Sequence, residues 1–309
     1  MIAAHADWSV APGKRWAAVA RRESAGWRID APRPVGDVLA FAESLRGEAP
    51  AVLGLDLPLG VPRGYAVLRP EAGFVEFLRG RAGDARFFAV NEALDGIGLE
   101  APFYPMRGVK GMTRASHAAA LGLADARALH RWCDGPTATR PAGAPPFWTL
   151  GANQSGKAAI TAWRDWLAPA LATGAPVDLW PFAGPLHGLL RAGRLTLAEV
   201  YPAEALRQLG LKLAGSKRDR GARRALAEPL RAAMARLLVA PSPAMLEALI
   251  DGFGQDAAGE DRLDCTLGLL ALIAVLDGAR PDFIPEDDMV RRWEGWVLGQ
   301  TDLPNTYAA

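Results

Sequence analysis

Three short apolar runs of this chain each close on a carboxylate. Met1–Ala6 runs into Asp7, Ala51–Leu55 into Asp56, and Leu195–Ala198 into Glu199. Runs of this length and apolarity suit buried strands. A carboxylate at the end of a buried strand is costly unless water, a hydrogen bond or a cation receives it. In open α/β sheets, ligands bind at the carboxyl ends of the strands, so acids far apart in sequence can meet there. A further pair, Asp261 and Asp264, opens the strongly apolar run Cys265–Leu276. Spaced three apart, these two share one face near the start of a helix. Such a set of acids repels itself and binds hard divalent cations.

Each acid alone also has a plain structural account. Asp7, Asp56 and Glu199 suit turn positions that accept backbone hydrogen bonds. Asp261 and Asp264 complement a helix dipole, worth about 0.3–1 kcal/mol each. The conjunction is what points to chemistry, because four separate elements place acid at the same kind of position. The chain therefore reads as a metal-dependent enzyme, with Asp7, Asp56 and Asp264 as ligands of two Mg²⁺ or Mn²⁺ ions. Asp261 or Glu199 is then expected to orient water, the arrangement that a two-metal hydrolytic site requires.

The order of elements agrees with an α/β fold. Met1–Trp8, Arg15–Arg22 and Trp27–Ile29 are separated by Pro12-Gly13 and by Ser24–Gly26, a three-stranded meander. Val35–Leu45 has helical spacing, and Ala51–Leu55 is a central buried strand. Residues 1–60 thus form the first half of a mixed, ribonuclease H-like sheet flanked by helices. Residues 61–193 interrupt it as a large insertion expected to cover the active edge. It is rich in Trp, Phe and Pro, with helical stretches at Ala72–Gly80, Ser116–Cys133 and Ala158–Ala172. Residues 194–309 complete the core. Leu195–Val200 is a strand, helices follow at Glu204–Leu213, Lys217–Leu238, Pro243–Phe253 and Glu260–Leu276, and Glu294–Gly299 is a last strand.

Two basic features accompany the acids. Gly151–Lys157 matches the first seven positions of a phosphate-binding P-loop, but Ala158 stands where a Ser or Thr should hold Mg²⁺. The turn offers Asn153, Gln154 and Lys157 to a phosphate, or else it is a helix start with glycine placed for close packing. Lys212, Lys217, Arg218, Arg220, Arg223 and Arg224 form the densest basic cluster, read either as solvated surface or as contacts to a phosphate backbone. Lys217 and Arg218, with Lys14 in the turn after Asp7, are the candidate phosphate contacts. His5, His117, His130 and His187 lack metal-ligand spacing. Cys133 and Cys265 are too few and too far apart for a disulfide framework.

These residues resemble a known group. Asp7-Trp8-Ser9 with Lys14-Arg15-Trp16, Leu55–Gly60, Glu199–Pro202 and Asp261–Asp264 are similar to the domain-of-unknown-function family 429. That family is regarded as a predicted nuclease group of the ribonuclease H-like superfamily. The resemblance implies metal-dependent phosphodiester cleavage, with Asp7 as the first-strand ligand, Asp56 as the central-strand acid and Asp261 or Asp264 as the acid of the late helix. The expected partner is DNA or RNA. Net charge +1 excludes a wholesale nucleic-acid binder but allows a local basic groove. Asp7 comes too early for a signal peptide, no charge-free run is long enough to span a membrane, and a reducing cytoplasm is expected. Two rivals remain: an ATP-dependent phosphotransferase of the actin-like and sugar-kinase type, and a non-catalytic nucleic-acid-binding protein of the same fold.

Overall fold

A computed structural model describes residues 1–104, 111–150 and 155–304. Two units are distinguished. The first gathers Met1–Asp56, Pro185–Phe283 and Val297–Gln300, and the second gathers Leu57–Gly184, Ile284–Trp296 and the tail from Thr301. Residues 194–309, expected together as the second half of the core, are divided between them.

The first unit is α/β, built on a mixed sheet. Its strands are β1 (Ile2–Asp7), β2 (Trp16–Glu23), β3 (Gly26–Ile29), β4 (Arg33–Pro34), β5 (Ala51–Leu55), β6 (Leu195–Glu199) and β7 (Val239–Pro241). The spatial order is β6-β5-β1-β2-β3-β7, with β4 paired to the first two residues of β2. β1, β5 and β6 run parallel, while β2 is antiparallel to both β1 and β3. The expected meander and central strand are present. β4 and β7 were not foreseen, being two and three residues long and each ending in a proline. Proline is tolerated on β7 because that strand lies at an edge.

The longer helices of this unit are α1 (Val38–Leu45), α2 (Pro202–Gln208), α3 (Arg220–Ala225), α4 (Ala227–Arg236), α5 (Pro243–Asp251) and α6 (Gly259–Leu276). α1 starts three residues later than its apolar spacing suggests, because the Asp37 side chain accepts from the Ala40 N–H at 2.7 Å and fixes the cap. The expected helix Lys217–Leu238 begins only at Arg220, with Asp219 accepting from the Gly221 and Ala222 amides. Lys217 and Arg218 therefore lie on a loop. From Cys265 to Val275 α6 is buried on every face and almost wholly apolar, and the helix packs on β1 and β2. Its close approach depends on Gly268, where a Cβ would fall 2.3 Å from the His5 ring. No described helix is long and apolar enough to cross a membrane.

The second unit packs around edge-on aromatic pairs, including Tyr65–Phe147 at 4.9 Å and Phe74–Trp163 at 5.3 Å between centroids. Its helices include Phe74–Arg79, Arg114–Ala120 and Ser155–Ala162. The helix expected over Ser116–Cys133 is broken, since Gly122 takes a left-handed conformation and Asp125 caps a new short turn. The strand expected at Glu294–Gly299 is absent. Val290–Glu294 is a π-helical turn that ends at Gly295 with φ 67°, and Val297 makes only an isolated bridge to Glu199.

Candidate functional site

Strand register brings the first two acids together. Ala6 pairs with Leu55, and the Asp56 amide donates to the Ala6 carbonyl at 3.2 Å. The next residues, Asp7 and Asp56, therefore lie side by side, and residues in register share a face. His5, two residues before Asp7, looks out on that same face, against Gly268 of α6. Asp264 and Asp261 precede Gly268 by about one and two helical turns, which carries them back over the carboxyl ends of β1 and β5. A β-period and an α-period thus deliver four acids to one point.

Their contacts are direct. The Asp7 carboxyl lies against those of Asp56 and Asp261, whose like charges oppose its ionisation. Burial pushes Asp7 up to about 10, helped by the negative charges of Asp56, Asp264 and Asp261. Burial also raises Asp56 to about 7, with Asp264 adding to it and Lys217 opposing. Asp264 is raised to about 6 by burial, against the attraction of Lys217. Asp261 is raised by burial too, against its hydrogen bond from Asp7. No three oxygens of these four acids come within 4.8 Å of one another, so the carboxyls are held in pairwise contacts. Carboxyls shifted upward by burial and by one another are frequent at functional sites.

Glu199 does not join them. It registers with Leu55 rather than with Asp56, so its side chain leaves the sheet on the opposite face. The position beside Asp56 belongs to Val200, which packs on the His5 face near Gly54. Glu199 is fully buried and acts on Asp56 only through its charge. The sequence places it one residue out of step.

The basic residues divide in a similar way. Lys217 donates to Asp264 at 2.5 Å, inside the cluster. Lys14 is exposed in the β1–β2 turn and its charge reaches Asp261. Arg218 is 83% exposed beside Glu260 at 3.4 Å. Of the remaining arginines of the basic run only Arg223 is buried, but all three donate to backbone carbonyls. Arg220 donates to the Asp251 carbonyl at 2.8 Å, Arg224 to that of Ile250 at 3.3 Å, and Arg223 to those of Gly252 and Gly254, both at 2.7 Å. They close the carboxyl end of α5, where backbone carbonyls lack helical partners.

Lys157 lies in the second unit, half-buried in the first turn of the helix Ser155–Ala162. Asn153 and Gln154 lie outside the described residues. Gly156 has a clear packing reason, since a Cβ there would fall 2.7–2.9 Å from backbone atoms of Phe147 and Trp148. Gly156→Ala is expected to cost about 1–3 kcal/mol, read from denaturant midpoints, as overpacking against rigid backbone does. Lys157→Ala is expected to leave nucleic-acid affinity unchanged. A salt slope reduced by about one would restore its role as a phosphate contact.

The donors of the cluster are all oxygens, the kind that hard divalent cations prefer, although no three of them stand close enough to share one ion as they lie here. Comparison of the chain with protein-family models, curated proteins and solved structures gave no match.

Proposed function

We propose that this protein is a metal-dependent hydrolase of nucleic-acid phosphodiester bonds, acting in a reducing cytoplasm where its two free cysteines remain thiols. The observation that carries the reading is the meeting of Asp7, Asp56, Asp261 and Asp264 at the carboxyl ends of β1 and β5. The strand order supports a ribonuclease H-like core: an antiparallel meander continues through β1 into the parallel strands β5 and β6, with an acid on the first and central strands. The late helix then supplies the remaining acids from its first two turns. This is also the pattern on which the resemblance to the predicted nuclease family rests.

In this reading Asp7, Asp56 and Asp264 hold Mg²⁺ or Mn²⁺. When bound, the cation lowers the pKa of an attacking water and stabilises charge on the leaving oxygen. The chain's own residues do the rest. Asp261 is the most open of the acids to the Lys14 side, so it orients the water and receives its proton. Lys14, exposed at the rim, neutralises a flanking phosphate, and Arg218 does the same farther along. His5 stays neutral, its pKa lowered to about 4 by burial, with Nε2 on the Val200 carbonyl at 3.1 Å. It props the strand ends rather than exchanging protons.

The test is direct. Purified protein with 5′- and 3′-labelled single-stranded, duplex and branched DNA and RNA should cleave at least one class in Mn²⁺ or Mg²⁺, and none after chelation. Tight binding of these substrates with no turnover in any metal would instead favour a binding protein of the same fold. Cleavage that persists in EDTA would remove the acid cluster from the chemistry.

A further inference from the structure

Beside the acid cluster stands an indole. Asp7, the last residue of β1, is paired with Trp16, the first of β2. Residues opposite one another in an antiparallel pair share a face, with Cβ atoms about 4.5–5.5 Å apart. The Trp16 ring therefore rises on the acid face of the sheet, within one nucleotide's reach of Asp7. Of the three tryptophans in this unit, Trp8 and Trp27 are buried and Trp16 alone reaches the surface. Lys14, two residues earlier, is exposed in the turn that leads to it.

The ring is held by stacking and not by its N–H. Arg262 of α6, the neighbour of Asp261, lies over it with the guanidinium carbon 4.2 Å from the ring centroid. That guanidinium is itself fixed, donating to the Phe253 carbonyl at 2.7 Å and to the two oxygens of Asp256 at 3.0 and 2.9 Å. Its charge is answered and its plane is set, so it is a rigid flat neighbour for the indole. The indole Nε1 of Trp16 is buried and has no acceptor, whereas that of Trp27 donates to Asp277 at 2.9 Å. A leucine would fill the same place without stranding a donor, so packing alone does not account for an indole here. On the opposite face of the strands Arg15 lies over Trp8 at 4.5 Å, but there both partners are buried. On the acid face both are half-buried, and the stack opens to the surface.

We propose that Trp16 stacks an unpaired base of the substrate beside the acid cluster, so that the site takes single-stranded nucleic acid. The proposal rests on the nucleic-acid reading above and names its substrate class. An indole offers a π-face to any base, and a base is free to take it only when it is not stacked within a duplex. Arg262 acts as a positioning residue that holds the ring in one orientation, while Lys14 meets a phosphate of the same strand. Stacking reads no base edge, so the site prefers single strands to duplex with little choice among sequences.

The test measures binding in chelator at low ionic strength, by fluorescence anisotropy of labelled oligothymidylate and oligouridylate. A strand of the same length with abasic sugars throughout and a blunt duplex are the comparison probes. The unaltered protein is expected to bind the better of the two single strands more tightly than either comparison probe. Trp16→Leu and the more adaptable Trp16→Met keep apolar bulk beneath Arg262 and remove the π-face. Each is expected to weaken binding of that single strand about 5–150-fold, the value of one lost stack, and to leave the abasic strand unchanged. Trp16→Phe is expected to retain most of the affinity. Melting curves establish which variants are folded before binding is compared. Equal losses on the intact and abasic strands, no loss on either, or tighter binding of the duplex overturns the role given to Trp16 while leaving the nucleic-acid reading intact. No binding of any probe by the unaltered protein overturns that reading and this proposal with it.

Discussion

Asp7→Asn is expected to leave the metal-free protein as stable as before or slightly more so, and to abolish its response to metal. Asp7 is the acid that neighbours both Asp56 and Asp261, and their charges oppose its ionisation. An asparagine amide keeps the size and supplies N–H donors toward the same oxygens, while removing a negative charge that the neighbours repel. The fold therefore loses nothing it depends on. A divalent ion loses its central ligand, so Mn²⁺ affinity falls, and cleavage is expected to drop by about 10²–10³-fold, the usual effect of removing one electrostatic stabiliser. Thermal melts with and without Mn²⁺ check this before any substrate is known. If Asp7 only accepted backbone hydrogen bonds at a strand end, the pattern reverses: stability falls by about 1–3 kcal/mol and the Mn²⁺ shift survives.

Asp7, Asp56 and the α6 pair are legible in the sequence because each lies at the boundary of a strongly apolar run, and two periodicities place them. Alternation fixes the faces of β1 and β5, and the three-residue spacing of Asp261 and Asp264 fixes a helix face. Glu199 looks equivalent for the same reason, since it too follows a run of apolar residues. Register decides otherwise, and a shift of one residue reverses the face of every side chain. Nothing local to Leu195–Val200 reports which residue will stand beside Asp56.

The basic run fails to declare itself for a different reason. Its arginines find their partners at Ile250–Gly254, about 30 residues further on, and those partners are backbone carbonyls with no sequence signature. A charge run next to a short polar loop is compatible with surface, phosphate contact or helix closure until the two segments meet. Lys217 is separated from its arginine neighbours by the cap at Asp219, which starts α3 after it. That same cap frees Lys217 to enter the acid cluster. Aspartate, favoured at the start of a helix, is the one local signal in the stretch that marks the boundary.

Metal-free stability is expected to fall as pH rises through the neutral range, and a saturating divalent ion is expected to reverse the trend. A carboxyl whose folded pKa is raised holds its proton in the folded chain and not in the unfolded one. Its stability contribution is therefore largest below the ordinary value of 3.8 and declines as pH rises toward the folded value. Asp264 and Asp56 exhaust this effect at about 6 and 7, whereas Asp7 continues toward about 10. Buried His5 and His117 act in the opposite sense, because both are lowered from 6.5 to about 4 and favour folding increasingly as pH rises between those values. Above pH 6.5 the contribution of the histidines fades, and the raised carboxyl of Asp7 sets the sign. Between pH 6.5 and 8.5 the metal-free protein should lose stability steadily, measured by denaturant midpoints in chelator. Metal ligation requires the ionised carboxylates, so binding releases protons and the ion's stabilisation grows over the same range. In Asp7→Asn both slopes should flatten together. A metal-free stability that rises from pH 6.5 to 8.5, or a slope unaltered by Asp7→Asn, would mean that the proton at the centre of the cluster is not on Asp7.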